Sequence, residues 1–208
     1  MLWIKTVIVL AVAYFIGSIT SGDIVARIKK VDLRSLGSGN IGATNTFRVL
    51  GSFYGAVVLA GDIVKGILAV LLGHYVLGSF HGFDMAILTG VFAVIGHNWP
   101  VHAGFKGGKG IATSAGVMIG LTPVSILAAL PVWLAVFLLS GYVSLASIVA
   151  AIAYPVSVFL FYHDDPYKQF LALIIAVLAI YRHHSNIKRL LRGEEHRILY
   201  KHRGGDKS

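Results

Sequence analysis

The sequence predicts an all-α protein that forms a polytopic bundle of transmembrane helices. Hydrophobic residues make up 56% of the 208 residues, charged residues make up 13%, and the mean hydropathy is +0.78. Soluble domains carry about 25% charged residues, so this composition is typical of an integral membrane protein. From residue 110 to residue 163 the chain contains no Asp, Glu, Lys or Arg. We therefore expect residues 1–208 to form a single membrane domain with no separate soluble domain.

The positive charge of the chain is unevenly distributed. The formal net charge is +9, and Lys and Arg cluster at the ends of the apolar segments. This distribution is typical of cytoplasmic loops under the positive-inside rule and of contacts with anionic lipid headgroups or substrates. It therefore favours the lipid bilayer as a partner over a nucleic acid. The sequence contains no cysteine, so no disulfide framework is expected.

Seven apolar segments follow one another along the chain. A helix needs about 20 apolar residues to span the hydrocarbon core of a membrane, which is ~30 Å thick. The fourth segment has only ten residues and would rise ~15 Å, so we expect it to cross the membrane partially. The segments are residues 2–26, 53–77, 83–96, 111–120, 123–140, 143–163 and 167–181.

Three polar segments rich in Lys and Arg, about residues 34–51, 97–113 and 181–197, are expected on the cytoplasmic side. An even number of crossings must then separate each polar segment from the next. Seven crossings satisfy this parity, with the N-terminus outside and the C-terminus in the cytoplasm. Five crossings is the alternative count, if the short fourth segment joins the next helix and one other predicted break is also wrong.

The second polar segment contains a glycine-rich loop, GFKGGKG, immediately before a predicted helix. Gly107, Gly108 and Gly110 permit backbone turns that other residues disfavour, and Lys106 and Lys109 add two cations. Open backbone amides at a helix start suit a phosphate, and nearby ammonium groups strengthen that preference. We interpret the loop as a phosphate-binding site at one membrane face. The alternative is a flexible loop with two solvated lysines.

This loop is not the P-loop of a nucleotide-binding protein. The pattern G-x-x-x-x-G-K-[ST] requires glycine where Ala103 stands and a hydroxyl residue where Gly110 stands. The missing hydroxyl would remove the magnesium ligand of an NTPase. NTPase activity is therefore excluded.

The first polar segment places several small polar residues in one turn. Its GSGNIG stretch matches G-x-G-x-x-G, but the dinucleotide-binding version follows a buried strand, and here a membrane helix and a basic loop precede it. Ser38, Asn40, Thr44 and Asn45 can hydrogen-bond a polyol or a phosphate, and Arg48 offers a fork of donors to phosphate oxygens. The alternative is that these residues only begin a helix, because Ser, Asn and Thr are common caps.

The third polar segment begins with YRHHSN, where the last apolar segment ends. His183 can accept a proton near neutral pH or donate a hydrogen bond to an oxyanion, and Asn186 adds an amide. The alternative is that these are interfacial side chains beside a Tyr–Arg anchor. A metal site is not expected, because the adjacent His183 and His184 point to different helix faces and no acidic residue stands at ligand spacing.

Four further polar residues stand out. Asp62 and Lys65 lie within the second apolar segment, where each charge would cost ~2.5–3.5 kcal/mol at mid-membrane. Their i, i+3 spacing predicts a mutual ion pair with a structural role. Glu195 is also expected to be structural, because it and its neighbour Glu194 can pair with Arg192 or Arg197. His97 ends the third apolar segment and is a candidate substrate-binding residue.

The three cationic polar segments are expected at one membrane face, where they could bind two phosphates at once. This arrangement suits a group-transfer reaction between two phosphorylated substrates, at least one of them lipidic. Two alternatives from other classes stay open at this point. Paired charges within apolar segments would suit a transporter for an anionic solute, although the polar groups gather at one face and not at mid-membrane. Basic loops would also suit a non-catalytic assembly subunit that docks a soluble partner.

Three stretches resemble, in register, the bacterial acyl-phosphate:glycerol-3-phosphate acyltransferase family. They are GSGNIGATN followed by Arg48, GHNWPVHAGFKGGKGIAT, and YRHHSNIKRLLRGEEH. The resemblance implies a multi-pass enzyme of the bacterial inner membrane with its active site on the cytoplasmic face. Such an enzyme transfers a fatty acyl group from acyl phosphate to the 1-hydroxyl of sn-glycerol 3-phosphate. The products are lysophosphatidic acid and phosphate, in the first step of phospholipid synthesis, and no metal, nucleotide or coenzyme A is expected.

The resemblance also implies a role for individual residues. Ser38 and Arg48 match an essential serine and arginine of the family, and His183 and Asn186 match a histidine and an asparagine of its third motif. The loop from Lys106 to Gly110 matches the glycerol-phosphate loop, with Lys109 as the stronger phosphate ligand. Glu195 matches a glutamate tied to structural integrity.

Overall fold

The fold is helical, as predicted, in the computed structural model, which describes residues 2–80 and 82–198. One departure is a two-residue hairpin, in which Ser79–Phe80 (β1) pairs antiparallel with Phe83–Asp84 (β2). The helices are α1 Leu2–Ser18, α2 Ser21–Lys29, α3 Ala43–Leu50, α4 Ser52–Leu72, α5 Ala86–Asn98, α6 Ile111–Leu121, α7 Pro123–Ser140, α8 Val143–Phe161, α9 Pro166–Arg182 and α10 His184–Leu191, with a π-helical turn at Gly73–Leu77 and a 3-10 turn at Val101–Ala103.

Within residues 2–80 and 82–198, four helical stretches are long and apolar enough to cross a membrane. They are Trp3–Lys29, Ser52–Leu77, Pro123–Ser140 and Val143–Phe161. A fifth is added if α9 and α10, which meet at a bend of 56°, form one span. Large apolar side chains face outward on these helices, including Leu127, Leu139 and Val177, which are 68%, 86% and 65% exposed. Outward apolar faces of this kind are what lipid contact requires.

Two boundaries differ from the sequence prediction. Residues 2–26 were expected to form one helix, but the chain breaks at Ile19 and Thr20. The break is stabilised because the buried Lys65 ammonium donates to the Ile19 carbonyl at 2.8 Å. The third apolar helix begins at Ala86 and not at residue 83, because Asp84 in β2 accepts a hydrogen bond from the Ala86 amide at 2.9 Å and caps it. The predicted breaks near residues 122, 141 and 164 are confirmed.

The helices form two packed groups. On one side α1 packs against α5 and α4 packs against α6, and on the other α7 packs against α8 and α8 against α9. Contacts of α5 with α9 and of α6 with α7 join the groups around a common core that includes Val117, Tyr154 and Leu171. Because α6 lies between the groups, the glycine-rich loop that precedes it is held where both groups meet.

Candidate active site

A single cavity of about 390 Å³ receives side chains from all three polar segments. The predicted site residues that line it are Ser38, Asn40, Thr44, Asn45, Arg48, His97, Lys109, Gly110, His183, Asn186 and Glu195, and Asp62 also reaches it. The structure does not bring Lys106, Gly107, Gly108 or Lys65 to the lining of this cavity. Residues 150 positions apart in the chain are thus brought to one place, as the motifs predicted.

Asn45 shapes the first polar segment. Its side-chain oxygen accepts a hydrogen bond from the Ser38 amide at 2.8 Å, and its nitrogen donates to the carbonyls of Leu33 and Leu36 at 3.0 Å each. The side chain is buried, with 1% exposed. Asn45 therefore holds the turn that presents Ser38. A helix does start in this segment, since α3 begins at Ala43 and carries Thr44, Asn45 and Arg48, but its N-cap is Gly42 and no side chain caps it, so the expected capping by Ser, Asn or Thr is wrong.

Arg48 and Lys109 supply positive charge to the cavity without a carboxylate of their own. Within the described part of the chain, neither side chain makes a hydrogen bond or an ion pair. Burial lowers the pKa of Arg48, with Glu195 opposing and Arg189 adding to that shift. Burial also lowers the pKa of Lys109, to about 8, and the neighbouring Arg48, Arg182 and Arg189 act in the same direction. Two partly desolvated cations that face one cavity favour an anionic ligand.

The glycine-rich loop is fixed from both sides. The Gly107 amide donates to the Asn98 carbonyl at 3.2 Å and the Gly108 amide donates to the His97 carbonyl at 3.1 Å. From the other side Arg182 donates to the carbonyls of Gly107 and Gly108, with its shortest contact at 2.7 Å. The loop ends at Gly110, which has a φ of 79° and is the N-cap residue of α6. The glycines form turns, as predicted, and these hydrogen bonds hold the loop in one conformation.

The two loop lysines are separated by this geometry. Lys109 reaches the cavity, whereas the Lys106 side chain is exposed and lies outside it. The Lys106 carbonyl accepts a hydrogen bond from Arg34 at 3.2 Å, and Arg34 also forms an ion pair with Asp23. Lys106 therefore belongs to the outer side of the loop.

His183 lies between α9 and α10 and is buried at 3% exposure. Its Nδ1 lies 2.7 Å from the Ala179 carbonyl oxygen, which can only accept a hydrogen bond. Nδ1 therefore carries a proton, and in the neutral ring Nε2 is an acceptor. This tautomer is the one that a proton-accepting histidine needs.

Glu195 connects the third polar segment to α8. It accepts hydrogen bonds from Asn186 at 2.9 Å and from Ser144 at 3.1 Å, and it forms an ion pair with Arg189 at 2.8 Å. The predicted partners Arg192 and Arg197 are therefore wrong for this residue. The chain turns back over α10 after Leu191, which brings Glu195 to Arg189. The Asn186 side-chain oxygen is buried and has no hydrogen-bond partner among the described residues.

The ion pair predicted between Asp62 and Lys65 is confirmed, with 2.9 Å between Asp62 Oδ1 and Lys65 Nζ. His97 joins this pair, because its Nδ1 lies 2.7 Å from Lys65 Nζ. Sequence reasoning did not connect His97 with Lys65, since the two residues come from different helices. Among the described residues, no group of three or more His, Cys, Asp or Glu is placed to hold a metal ion.

The far end of the cavity is apolar, and the sequence analysis did not identify it. Five helices contribute side chains there, so no single stretch of sequence carries its signal. Its lining includes Ile63, Met118, Ile126, Ala129, Trp133, Ala150, Ala151, Tyr154 and Ile175. A cavity with cations at one end and apolar side chains at the other suits an amphiphile that carries a phosphate.

Comparisons with known proteins agree with this geometry. The family model described as glycerol-3-phosphate acyltransferase matches residues 7–193. A glycerol-3-phosphate acyltransferase of Aquifex aeolicus is 47% identical over 197 residues, covering 93% of this chain and 100% of the relative. One of Desulforudis audaxviator is 45% identical, covering 95% of this chain and 98% of the relative.

Solved structures are similar as well. The crystal structure of PlsY (YgiH), described as an integral membrane glycerol 3-phosphate acyltransferase, matches in its glycerol 3-phosphate form with a TM-score of 0.86 and 44% identity, covering 93% of this chain and 95% of that chain. Its lysophosphatidic acid form matches with a TM-score of 0.84 and 43% identity, covering 92% and 94%. The family match and these identities over nearly the whole chain lead to one conclusion: this chain belongs to the glycerol-3-phosphate acyltransferase family.

Proposed function

We propose that this protein transfers a fatty acyl group from acyl phosphate to the 1-hydroxyl of sn-glycerol 3-phosphate, giving lysophosphatidic acid and inorganic phosphate. The observation that carries the proposal is the shape of the cavity, in which Arg48 and Lys109, two cations without a protein partner in the described chain, face one end and apolar side chains line the other. Relatives named for glycerol 3-phosphate, and a similar structure described as the lysophosphatidic acid form, support the acceptor and the product.

The resemblance implies acyl phosphate as the donor, and the cations of the cavity are compatible with it. An acyl phosphate is a mixed anhydride that brings its own leaving group, so catalysis requires mainly proximity and neutralisation of charge. Arg48 and Lys109 lie where they would neutralise the phosphates of donor and acceptor. Asn40, Thr44 and Ser38 would contact the polar parts of the substrates, and Asn186 would orient them.

In the reaction the 1-hydroxyl oxygen forms a bond to the acyl carbonyl carbon, and the bond from that carbon to the phosphate oxygen breaks. The hydroxyl proton passes to Nε2 of His183 or to a substrate phosphate, whose second pKa is near 6. In either case the proton leaves with inorganic phosphate. The acyl chain occupies the apolar end of the cavity throughout.

The direct test is to give purified protein in detergent acyl phosphate together with glycerol 3-phosphate. Release of inorganic phosphate should depend on both substrates, and mass spectrometry should identify lysophosphatidic acid. Acyl coenzyme A in place of acyl phosphate should give no product. Turnover only with acyl coenzyme A would refute the donor, and absence of turnover with uptake of glycerol 3-phosphate into liposomes would favour a transporter.

We propose seven crossings in the bacterial inner membrane, with the N-terminus outside and the three polar segments and the C-terminus in the cytoplasm. Each of the seven apolar segments forms a helix in the described chain, and four or five of these helices are long and apolar enough to cross alone. The proposal adds α5 and α6 as shorter crossings, which the parity of the charged segments requires. Because the chain has no cysteine, single cysteines at Phe105 and Asp164 can be labelled in intact cells and in inverted vesicles. The cysteine at 105 should react only in inverted vesicles and that at 164 only in intact cells. Labelling of position 105 in intact cells would overturn the proposed topology.

A further inference from the structure

A network of three charged or titratable side chains lies buried beneath the glycine-rich loop. Asp62, Lys65 and His97 are 2%, 4% and 4% exposed. Lys65 Nζ contacts Asp62 Oδ1 at 2.9 Å, the Ile19 carbonyl at 2.8 Å and His97 Nδ1 at 2.7 Å. Ser21 donates a further hydrogen bond to Asp62 Oδ1 at 3.0 Å. The pair expected from sequence is therefore part of a larger network that ends on an imidazole ring.

The contacts of Lys65 determine where the His97 proton lies. An ammonium group has three N–H donors and no acceptor, and Lys65 has three acceptor atoms around it. His97 Nδ1 must therefore accept from Lys65, because the ammonium has no lone pair and can only donate. Asp62 Oδ1 lies 3.7 Å from His97 Nδ1, which is too long for a hydrogen bond. Since an accepting ring nitrogen carries no proton, the neutral His97 ring carries its proton on Nε2.

The Nε2 atom of His97 lies at the loop. Its position leaves no room for a side chain at residue 108, because a Cβ atom added to Gly108 would lie 2.1 Å from Nε2. The Gly108 amide donates to the His97 carbonyl, so backbone and ring of His97 both contact the same turn. His97 lines the cavity, and its Nε2 has no hydrogen-bond partner among the described residues. The Nε2–H group therefore lies against the turn at Gly108, next to Lys109, in a side chain that lines the cavity.

We propose that His97 is a neutral hydrogen-bond donor to a phosphate oxygen of bound glycerol 3-phosphate, and that Lys65 and Asp62 are positioning residues that fix its tautomer. This proposal rests on the proposed function of the same cavity. The opposite tautomer would direct a nitrogen lone pair at an anionic oxygen and repel it. A buried ion pair is costly when it serves only packing, whereas here it has a specific consequence for the site.

Nuclear magnetic resonance of the full chain, labelled with nitrogen-15 at histidine, tests the tautomer without any substitution. Long-range proton–nitrogen spectra distinguish the two neutral tautomers and the imidazolium, and His97→Gln identifies the signal of this ring among the nine histidines. We expect the Nε2–H tautomer in the free protein and a shift of the Nε2 signal when glycerol 3-phosphate is added. An Nδ1–H tautomer, an imidazolium, or no response to glycerol 3-phosphate would overturn the proposal.

Steady-state kinetics test the positioning residues. Lys65→Met removes all three donors, and we expect KM for glycerol 3-phosphate to rise about tenfold while KM for the acyl donor changes little. Lys65→Arg keeps the charge and donors and should restore part of the loss. If Lys65→Met does not fold, Asp62→Asn/Lys65→Met avoids an unpaired buried charge and should give the same selective rise.

The matched control is Ser157→Ala. Ser157 is similarly buried, at 7% exposure, and its hydroxyl donates to the carbonyls of Tyr154 and Ser125. The Ser157 side chain itself does not line the cavity. Both KM values of this variant should stay within about twofold of the starting protein. Equal losses in both KM values for Lys65→Met would assign the network to packing alone. Wild-type protein that lacks acyl transfer but shows the Nε2–H tautomer would refute the proposed function and leave the tautomer assignment intact.

Discussion

The two ends of the cavity are constructed in different ways. At the polar end specific hydrogen bonds fix the backbone turns that carry the site residues, as Asn45 holds the Ser38 turn and Arg182 holds the loop before Lys109. At the apolar end the lining is formed mainly by the packing of helices, with small side chains such as Ala129 and Ala151 beside Tyr154, whose hydroxyl is held by Thr122 at 2.9 Å. Phosphates of fixed geometry require fixed partners, whereas an acyl chain with many conformers requires only an apolar space of sufficient length. We call the apolar end of the cavity the apolar slot. Substitutions at the polar end should therefore lower turnover for every donor, and substitutions at the apolar end should change which donor is used.

The largest effect is expected for Lys109→Ala. The substitution removes one of the two cavity cations that have no protein partner in the described chain, so charge that develops on the phosphates is no longer neutralised. We expect kcat/KM to fall about 10²- to 10³-fold, equally for short and long acyl phosphates. The measurement is phosphate release by purified protein whose helical content and detergent-solubilised size are unchanged. Normal turnover by a folded Lys109→Ala protein would refute the assignment of the loop.

The second prediction concerns the apolar end, where Ala150→Phe would fill the slot. Ala150 lines the cavity and lies six residues beyond Ser144 on α8, which is ~9 Å along the helix. Donors whose chains extend past this point should lose about 10- to 100-fold in kcat/KM, while short donors change little. A series of acyl phosphates of increasing chain length measures this difference.

Ala153→Phe is the matched control for that change. Ala153 lies on the same helix and is also partly exposed, but it does not line the cavity. The control should keep the donor profile of the starting protein. If both variants change the profile in the same way, the slot does not hold the acyl chain.

The same contrast explains how much could be predicted from the sequence. Helices and their breaks follow local rules, so Pro123, Gly141 and Pro166 mark boundaries that the structure confirms. The polar site residues occur in three compact motifs, so a resemblance could identify them together. Arg182 was interpreted only as part of an interfacial anchor, because its contact with the loop depends on a fold that places residues 74 positions apart side by side.

Other parts of the site depend on which helix face meets which neighbour. Residue chemistry alone does not distinguish Lys106 from Lys109; the resemblance favours Lys109 as the phosphate ligand, and the shape of the loop places Lys109 at the cavity and Lys106 outside it. Likewise, Lys65 and His97 meet because α4 packs against α5 and α6, and no local pattern contains that information. The apolar slot was the least predictable part of the site from sequence. Its lining residues are of the types found throughout membrane helices, and only the packing of five helices brings them together.

A smaller, pH-dependent effect follows from the burial of Lys109. Burial lowers the pKa of this loop residue to about 8, with Arg48, Arg182 and Arg189 adding to the shift and Glu195 opposing it. The ammonium form therefore predominates below pH 8 and is lost as the pH rises through that value. We expect kcat/KM for glycerol 3-phosphate to be about tenfold lower at pH 9 than at its plateau.

Lys109→Arg separates this cause from other alkaline effects. The guanidinium stays charged across this range, so the alkaline fall in kcat/KM should disappear even if the plateau is lower. The profile is measured from pH 6 to pH 9.5 with subsaturating glycerol 3-phosphate. An unchanged alkaline fall in Lys109→Arg would mean that another group is responsible.

The smallest effect is expected for Lys106→Ala, which makes it the sharpest comparison with Lys109→Ala. The Lys106 side chain is exposed and outside the cavity, and the hydrogen bond that Arg34 makes to residue 106 involves the backbone carbonyl, which the substitution keeps. We expect kcat/KM to change less than about twofold, as for other exposed substitutions. Parallel phosphate-release assays on both variants check this difference. A loss of kcat/KM as large as that of Lys109→Ala would mean that the substrate also contacts the outer side of the loop. Only a direct contact with the substrate could make removal of an exposed ammonium as costly as removal of a buried one.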